Sequence, residues 1–253
     1  MKISATIITL NEERNLKRAL ESLTCVDEVV VVDSGSTDRT AEIARGYAAR
    51  VVKNPWHGYA SQKNYAAAQA EHDWILSIDA DEALSELLQA EIWQLRQDGP
   101  LAAAYRFPRL AQYLGRWIFH SGWYPDHKVR LYDRRRARWT GEFVHESVQV
   151  DGPVGELEGR LFHFTCDSIA DHLRSMERYT SLAAEELRAR GVRAGLARLL
   201  LHPPATFFKS YVLQQGFRDG HQGWLIARMA ARYTYLKYAK TRALNHQDTK
   251  TPR

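Results

Sequence analysis

The residues best suited to chemistry are Asp79-Ala80-Asp81, which follow the apolar run Trp74-Ile75-Leu76-Ser77-Ile78. In an extended segment, side chains two apart point to the same side. Two carboxylates so placed suit a hard divalent cation that also bridges a diphosphate. Such a cation neutralises the charge that builds on a departing nucleoside diphosphate. Taken alone, the triplet reads equally as a solvated acidic turn. A second cluster is Val30-Val31-Val32-Asp33-Ser34-Gly35-Ser36-Thr37-Asp38. An acid at a strand end can accept hydrogen bonds from a ribose or base, and the small residues beside it let backbone approach a ligand. A turn with an N-cap explains Thr37 but not two Asp flanking Ser-Gly-Ser. The third cluster, Thr9-Leu10-Asn11-Glu12-Glu13, follows the β-rich run Ile3–Ile8.

These clusters need elements that bring them together. Ile3–Thr9, Glu28–Asp33, Val51–Lys53 and Trp74–Ile78 read as short strands. Glu28–Asp33 is apolar on both faces, as a buried parallel strand is. Between the strands, Asn11–Leu23 has apolar residues at helical spacing with Asn11 as N-cap. Thr37 caps a second helix through Tyr47, and Ala60–Ala70 forms a third. This alternation predicts right-handed βαβ units and a parallel sheet. Ligands of such sheets bind at the C-terminal strand ends, where all three clusters sit. Leu84–Gln97 reads as a further helix. Ala103–Phe164 reads as strands and long loops, Asp167–Arg190 as helix, and His202-Pro203-Pro204 as a break before a helical, aromatic Thr206–Leu244.

In order and spacing, Ile7-Ile8-Thr9-Leu10-Asn11-Glu12, VVDSGSTD at 31–38 and SIDADE at 77–82 resemble family 2 inverting glycosyltransferases. The resemblance covers roughly residues 1–165. It implies an α/β chain of GT-A fold, a Rossmann-like, mostly parallel sheet flanked by helices, here with a C-terminal helical appendage. It places Thr9, Asn11 and Glu12 in a nucleotide-sugar pocket, with Ser34 and Ala80 lining it and Asp33 on base or ribose. Asp79 is left to ribose or metal, and Asp81 is the principal metal ligand. A narrower resemblance, to the bacterial lipopolysaccharide-core β-1,4-glucosyltransferase subgroup, rests on several later segments. They are Gln62-Lys63-Asn64, Gly122-Trp123-Tyr124-Pro125-Asp126, Arg130-Leu131, Val144-His145-Glu146, His163, and Gly216-Phe217-Arg218-Asp219-Gly220 with Gly223. It implies transfer of glucose from UDP-glucose to a lipid-linked saccharide such as an inner-core heptose. Another envelope glycan or a protein remains an alternative acceptor.

Inversion needs a base that takes the acceptor hydroxyl's proton. Relatives place an acidic pair late in the domain, and His145-Glu146 stands there instead. Glu146 is therefore the expected base, with Asp126 as the alternative. Lys63 either pairs with a donor phosphate or is a solvated helix residue. His163 either completes the metal shell or is a satisfied histidine in an apolar strand. Arg130 can orient a carboxylate or phosphate. The metal is Mg or Mn, since carboxylates accept both.

The chain has 253 residues and is 45% hydrophobic, enough for one large domain with an appendage. The expected division is a catalytic domain over 1–165 (nucleotide part to about 100, acceptor part beyond), a helical region over 166–245, and a disordered tail over 246–253. Two cysteines, Cys25 and Cys166, and a strand-like start without leader features suggest a reduced, cytoplasmic setting. Net charge is +5, yet residues 192–253 carry eleven Lys/Arg against Asp219 and Asp248. That basic, aromatic tail suits either docking on an anionic inner-membrane surface or packing on the catalytic domain. Nucleic acid is not an expected partner: no known motif is present, and strand-end acids without a metal repel phosphates. A sugar nucleotidyltransferase is a distant alternative, because the loop after the first strand holds Asn11-Glu12-Glu13 rather than a glycine-rich basic turn.

Overall fold

A computed structural model of the chain describes residues 1–141, 146–166 and 168–248. The chain forms two units: Met1–Leu110 with Pro125–Phe164, and Ala111–Tyr124 with Thr165–Arg253.

In the first unit, β1 (Ile3–Thr9), β2 (Glu28–Asp33), β3 (Arg50–Lys53) and β4 (Trp74–Asp79) run parallel in the order β3-β2-β1-β4. They alternate with α1 (Leu16–Glu21), α2 (Thr40–Gly46) and α3 (Tyr59–Gln69). Both faces of β2 are apolar because both are covered. Val31 joins Ile3, Ile7, Leu76 and Ile78 in a core with Leu16, while Val30 and Val32 pack with Ala66. The register pairs Thr9 with Asp33, Ile8 with Asp79, and Asp33 with Lys53. The polar clusters thus leave the sheet at one edge.

Beyond β4 come β5 (Glu82–Leu84), α4 (Glu86–Asp98), β6 (Ala104–Tyr113) and β7 (Arg116–Trp117). They are followed by β8 (Asp126–Asp133), β9 (Ala137–Thr140), β10 (Ser147–Val150), β11 (Val154–Glu156) and β12 (Leu161–Cys166). Strand β8 runs antiparallel to both β4 and β6, and β12 antiparallel to β5. The sheet order is β3-β2-β1-β4-β8-β6-β12-β5, and β9 and β10 form a separate pair.

Local expectations fail where polar side chains compete with helix starts. Helix α1 begins at Leu16, not Asn11. Asn11 sits at φ 57°, and its Oδ1 accepts from the Thr37 amide at 2.8 Å. Thr37 does not cap α2, which begins at Thr40 after Arg39, and Asp38 accepts from the Thr40 amide at 3.0 Å. Leu84 belongs to β5, and the Ser85 hydroxyl caps α4 through the Leu88 amide.

The second unit holds α5 (Ile169–Ala189), α6 (Leu196–Phe208), a π-helical turn Lys209–Leu213, a 3-10 turn Gly216–Asp219, and α7 (Gly220–Asp248). Its core gathers Tyr113, Ile118, Met176, Leu225, Ile226 and Met229. The expected break at His202-Pro203-Pro204 does not occur, and α6 runs through both prolines. The lost amide donors are tolerated because α6 is held along α7, with Thr206 against Thr234 at 3.3 Å and His202 edge-on to Tyr238. Helix α7 extends to Asp248, into the stretch read as a disordered tail, and residues 249–253 lie outside the described residues.

Candidate active site

The loops after β1 and β2 are tied to each other. Asp33 is buried, and its carboxylate accepts from Thr9 Oγ1 at 3.3 Å and from the Gly35 and Ser36 amides at 3.2 and 3.0 Å. The Ser36 hydroxyl also donates to it. Gly35, at φ 101°, takes a conformation that side chains disfavour. Ser36 Oγ in turn accepts the Asn11 amide at 2.9 Å, and Thr40 Oγ1 accepts the Glu12 amide at 2.8 Å. Gln62, on α3, joins the loops after β2 and β3 by donating to Ser34 Oγ at 3.0 Å and accepting from Asn54 Nδ2 at 2.7 Å. Thr9, Asn11, Glu12, Asp33 and Ser34 therefore form one rim.

Beside that rim lies a chain of eight charged side chains alternating in sign. Lys63 donates to Glu146 and reaches Asp79 Oδ1 at 2.8 Å. Arg130 bridges Asp79 Oδ2 at 2.6 Å and Glu82 Oε1 at 2.7 Å. Arg109 reaches Glu82 at 3.4 Å and Asp126 at 2.7 Å, and Lys128 reaches Asp126 at 2.9 Å. Lys63 is 1% exposed, so it is no solvated helix lysine; its ammonium lies 4.3 Å from the Trp139 ring centroid. Glu82, also buried, accepts the Asp79 amide at 3.0 Å and so fixes the end of β4. Burial raises the Asp79 carboxyl, but Arg130 and Lys63 together outweigh it and hold the group well below the usual carboxylate range. Asp126 is also pulled down, against its burial, by Lys128 and Arg109. Glu146 keeps Oε2 buried without a hydrogen-bond partner among the described residues. Val144 and His145 lie outside the described residues.

Asp81 parts from Asp79. Strand β4 ends at Asp79, so two-residue alternation stops there. Asp81 Oδ2 stands 3.3 Å from His163 Nε2, and the Phe164 amide donates to the Asp81 carbonyl at 2.9 Å. Ala80 between them is buried and presents no bulky side chain. Among the described residues no group of three or more His, Cys, Asp or Glu gathers around one point, so Asp79, Asp81 and His163 do not form a ready-made cage. Asp81 and His163, both partly exposed, still fit a cation that takes its remaining ligands from a diphosphate and water. The local field agrees. The Glu12 carboxyl is raised, by burial foremost, with the charges of Asp81, Asp38 and Asp79 adding while Asn15 opposes. A cavity of about 410 Å³ at the opposite strand ends, lined by Glu28, Arg50 and Tyr47 among others, contains none of these residues.

A model of the glycosyl transferase family 2 domain matches residues 4–148, which span that rim, the Asp79–Asp81 turn and the charged chain. The chain belongs to glycosyl transferase family 2. This glycosyltransferase is 32% identical over 247 residues to the lipopolysaccharide core biosynthesis glycosyltransferase LpsC of Rhizobium meliloti, covering 95% of this chain and 92% of that one. It is 34% identical over 258 residues to an uncharacterized glycosyltransferase of Rickettsia typhi, covering 96% and 88%. In fold it is similar to residues 1–349 of S. aureus TarS, solved in complex with UDP-GlcNAc (TM-score 0.50, 16% identity, 100% and 93% covered). The mixed sheet with C-terminal helices is the GT-A arrangement expected from the sequence.

The spacing of polar residues at strand ends exposes Thr9, Asn11, Asp33, Asp79 and Asp81 to sequence reading. It does not expose Glu82, Arg109 or Trp139, since the Glu82–Arg109 and Trp139–Asn64 contacts join residues 27 and 75 positions apart. Arg130 meets two carboxylates, one of the two partner types its residue type allowed.

Proposed function

We propose that this glycosyltransferase is an inverting, metal-dependent hexosyltransferase that moves glucose from UDP-glucose to a lipid-linked saccharide of the inner-core heptose kind. The observation that carries the proposal is the meeting, at one sheet edge, of the Thr9–Glu12 and Asp33–Ser36 rims, the Asp79–Asp81 turn and Glu146. The likeness to a lipopolysaccharide core biosynthesis enzyme along the whole chain supports the acceptor class.

In this mechanism the Asp33-Ser34-Gly35 loop, with Thr9, Asn11 and Glu12, receives the nucleoside. Asp81 and His163 would hold a divalent cation, which would supply positive charge to the diphosphate. Glu146 takes the proton of an acceptor hydroxyl while that oxygen bonds the anomeric carbon from the face opposite the diphosphate. The bond from the anomeric carbon to the diphosphate oxygen breaks, and its electron pair leaves with the nucleotide. Lys63 orients Glu146 and, with Arg130, keeps Asp79 ionised. Asp126 is the weaker candidate, because two cations hold its carboxylate and lower its basicity.

The test is transfer from UDP-glucose by wild type, Glu146→Gln and Asp126→Asn, with donor affinity measured alongside. Glu146→Gln should lose about 10²–10⁴-fold in kcat with donor affinity kept, and Asp126→Asn less than tenfold. Full transfer by Glu146→Gln, or the large loss in Asp126→Asn alone, reverses the assignment.

A further inference from the structure

Helix α6 is unusual for its surface: none of its thirteen residues is buried. At 100° per residue, Leu196, Leu200, Leu201 and Phe208 fall within an arc of about 140°. His202 and Thr206 lie on the other side, where they meet Tyr238 and Thr234 of α7. His202 and Thr206 therefore mark the side of α6 that touches α7, while Leu196, Leu200, Leu201 and Phe208 are exposed on the other. The apolar surface continues through Leu213 and Phe217, and all six side chains are 53% to 66% exposed. No Asp or Glu occurs from Val192 to Arg218, while Arg193, Arg198, Lys209 and Arg218 are all exposed around the stripe. Helix α7 has the opposite character, burying Leu225, Ile226 and Met229 in the core of the second unit.

We infer that the outer face of α6, continued by the turn to Phe217, docks into the headgroup layer of an anionic lipid bilayer. Exposed leucines and phenylalanine beside arginine and lysine are the two attractions that interfacial helices combine, apolar insertion and binding to anionic headgroups. Charge selects this occupant over a second copy of the chain. A two-fold contact sets each patch against itself and would bring the same unneutralised cations together. Among the described residues no helix is long and apolar enough to cross a membrane, so this face is an attachment and not a span. The inference goes beyond the proposed reaction and does not depend on the donor or the metal.

The experiment is co-sedimentation of the full chain with vesicles of phosphatidylcholine alone or mixed with phosphatidylglycerol. Three proteins are compared: wild type, Leu200→Glu/Leu201→Glu and Arg198→Glu/Lys209→Glu. Circular dichroism checks folding, and light scattering reports oligomeric state. Wild type should bind the anionic vesicles, less strongly as salt is raised. The leucine pair should reduce binding about tenfold or more, and the cation pair should remove the preference for anionic vesicles. All three should keep the same donor affinity, since none of the substituted residues lies in the nucleotide rims. Equal binding by wild type and the leucine variant, or none by either, overturns the inference. So does a wild-type dimer that the leucine variant dissociates without any vesicle binding. A wild type that binds vesicles but no sugar nucleotide would leave this inference standing and remove the proposed reaction.

Discussion

Arg130 is the residue on which the charged chain turns. It is 3% exposed, and its guanidinium lies against both Asp79 and Glu82. Its own protonation is strengthened by those carboxylates, against the cost of burial. Removing one member of a buried ionic set leaves its partners uncompensated, at a cost of about 3–5 kcal/mol. Arg130→Met should therefore lower unfolding free energy by roughly that amount, measured by urea denaturation. A change below about 0.5 kcal/mol would mean that Lys63 and Arg109 suffice for both acids. Glu82 is the silent partner in this set. Its type and position within Asp-Glu suggest only a turn, yet it accepts the Asp79 amide and fixes where β4 stops.

Among elements, the parallel half of the sheet was legible because β1, β2 and β4 are short, rich in β-branched and apolar residues, and end on polar residues. Helix starts were less legible. Asn11 looks like a cap, but its amide and side chain bond residues 25 and 26 positions away, and no local pattern reports such a partner. The two prolines of α6 misled for the same reason, since packing along α7 overrides their local preference. The Asp79–Asp81 pair stands out in the sequence, but its geometry does not. Alternation holds only within a strand, and this one ends between the two acids. In the second unit, the Gly223 of the motif has a steric reason. A Cβ there would lie 1.8 Å from the Gly216 carbonyl oxygen, where the 3-10 turn meets the start of α7. That turn presents Asp219, which accepts the Phe119 and His120 amides at 3.2 and 3.0 Å. Gly223→Ala should destabilise the protein by about 1–3 kcal/mol through overpacking, read as a lower urea midpoint, whereas Gly46→Ala, with open space around it, should not.

For the whole molecule, the balance of charge sets the response to acid. The carboxyls of Glu28, Asp79, Asp126 and Asp133 are all held below their ordinary values by hydrogen bonds and neighbouring cations, which outweigh burial. A carboxyl lowered on folding contributes stability above its unfolded pKa, about 4. That contribution is lost as pH falls toward the folded value. Glu12, raised on folding, acts in the opposite sense. These four carboxyls, against Glu12, predict a melting temperature that falls below about pH 4, and the His172 imidazole, lowered by burial, adds a smaller fall that begins below its unfolded value of about 6.5; a rise on acidification would contradict this. In the proposed reaction, the strand-end loops and the Asp79–Asp81 turn bind a sugar nucleotide around a divalent cation. Calorimetric titration of the full chain with UDP-glucose and other nucleotide sugars, in Mn²⁺ and again in EDTA, tests it most directly. The predicted result is saturable binding of a UDP-sugar in Mn²⁺, weakened about tenfold or more by EDTA or by Asp81→Asn. No binding of any UDP-sugar to wild type under either condition would contradict it.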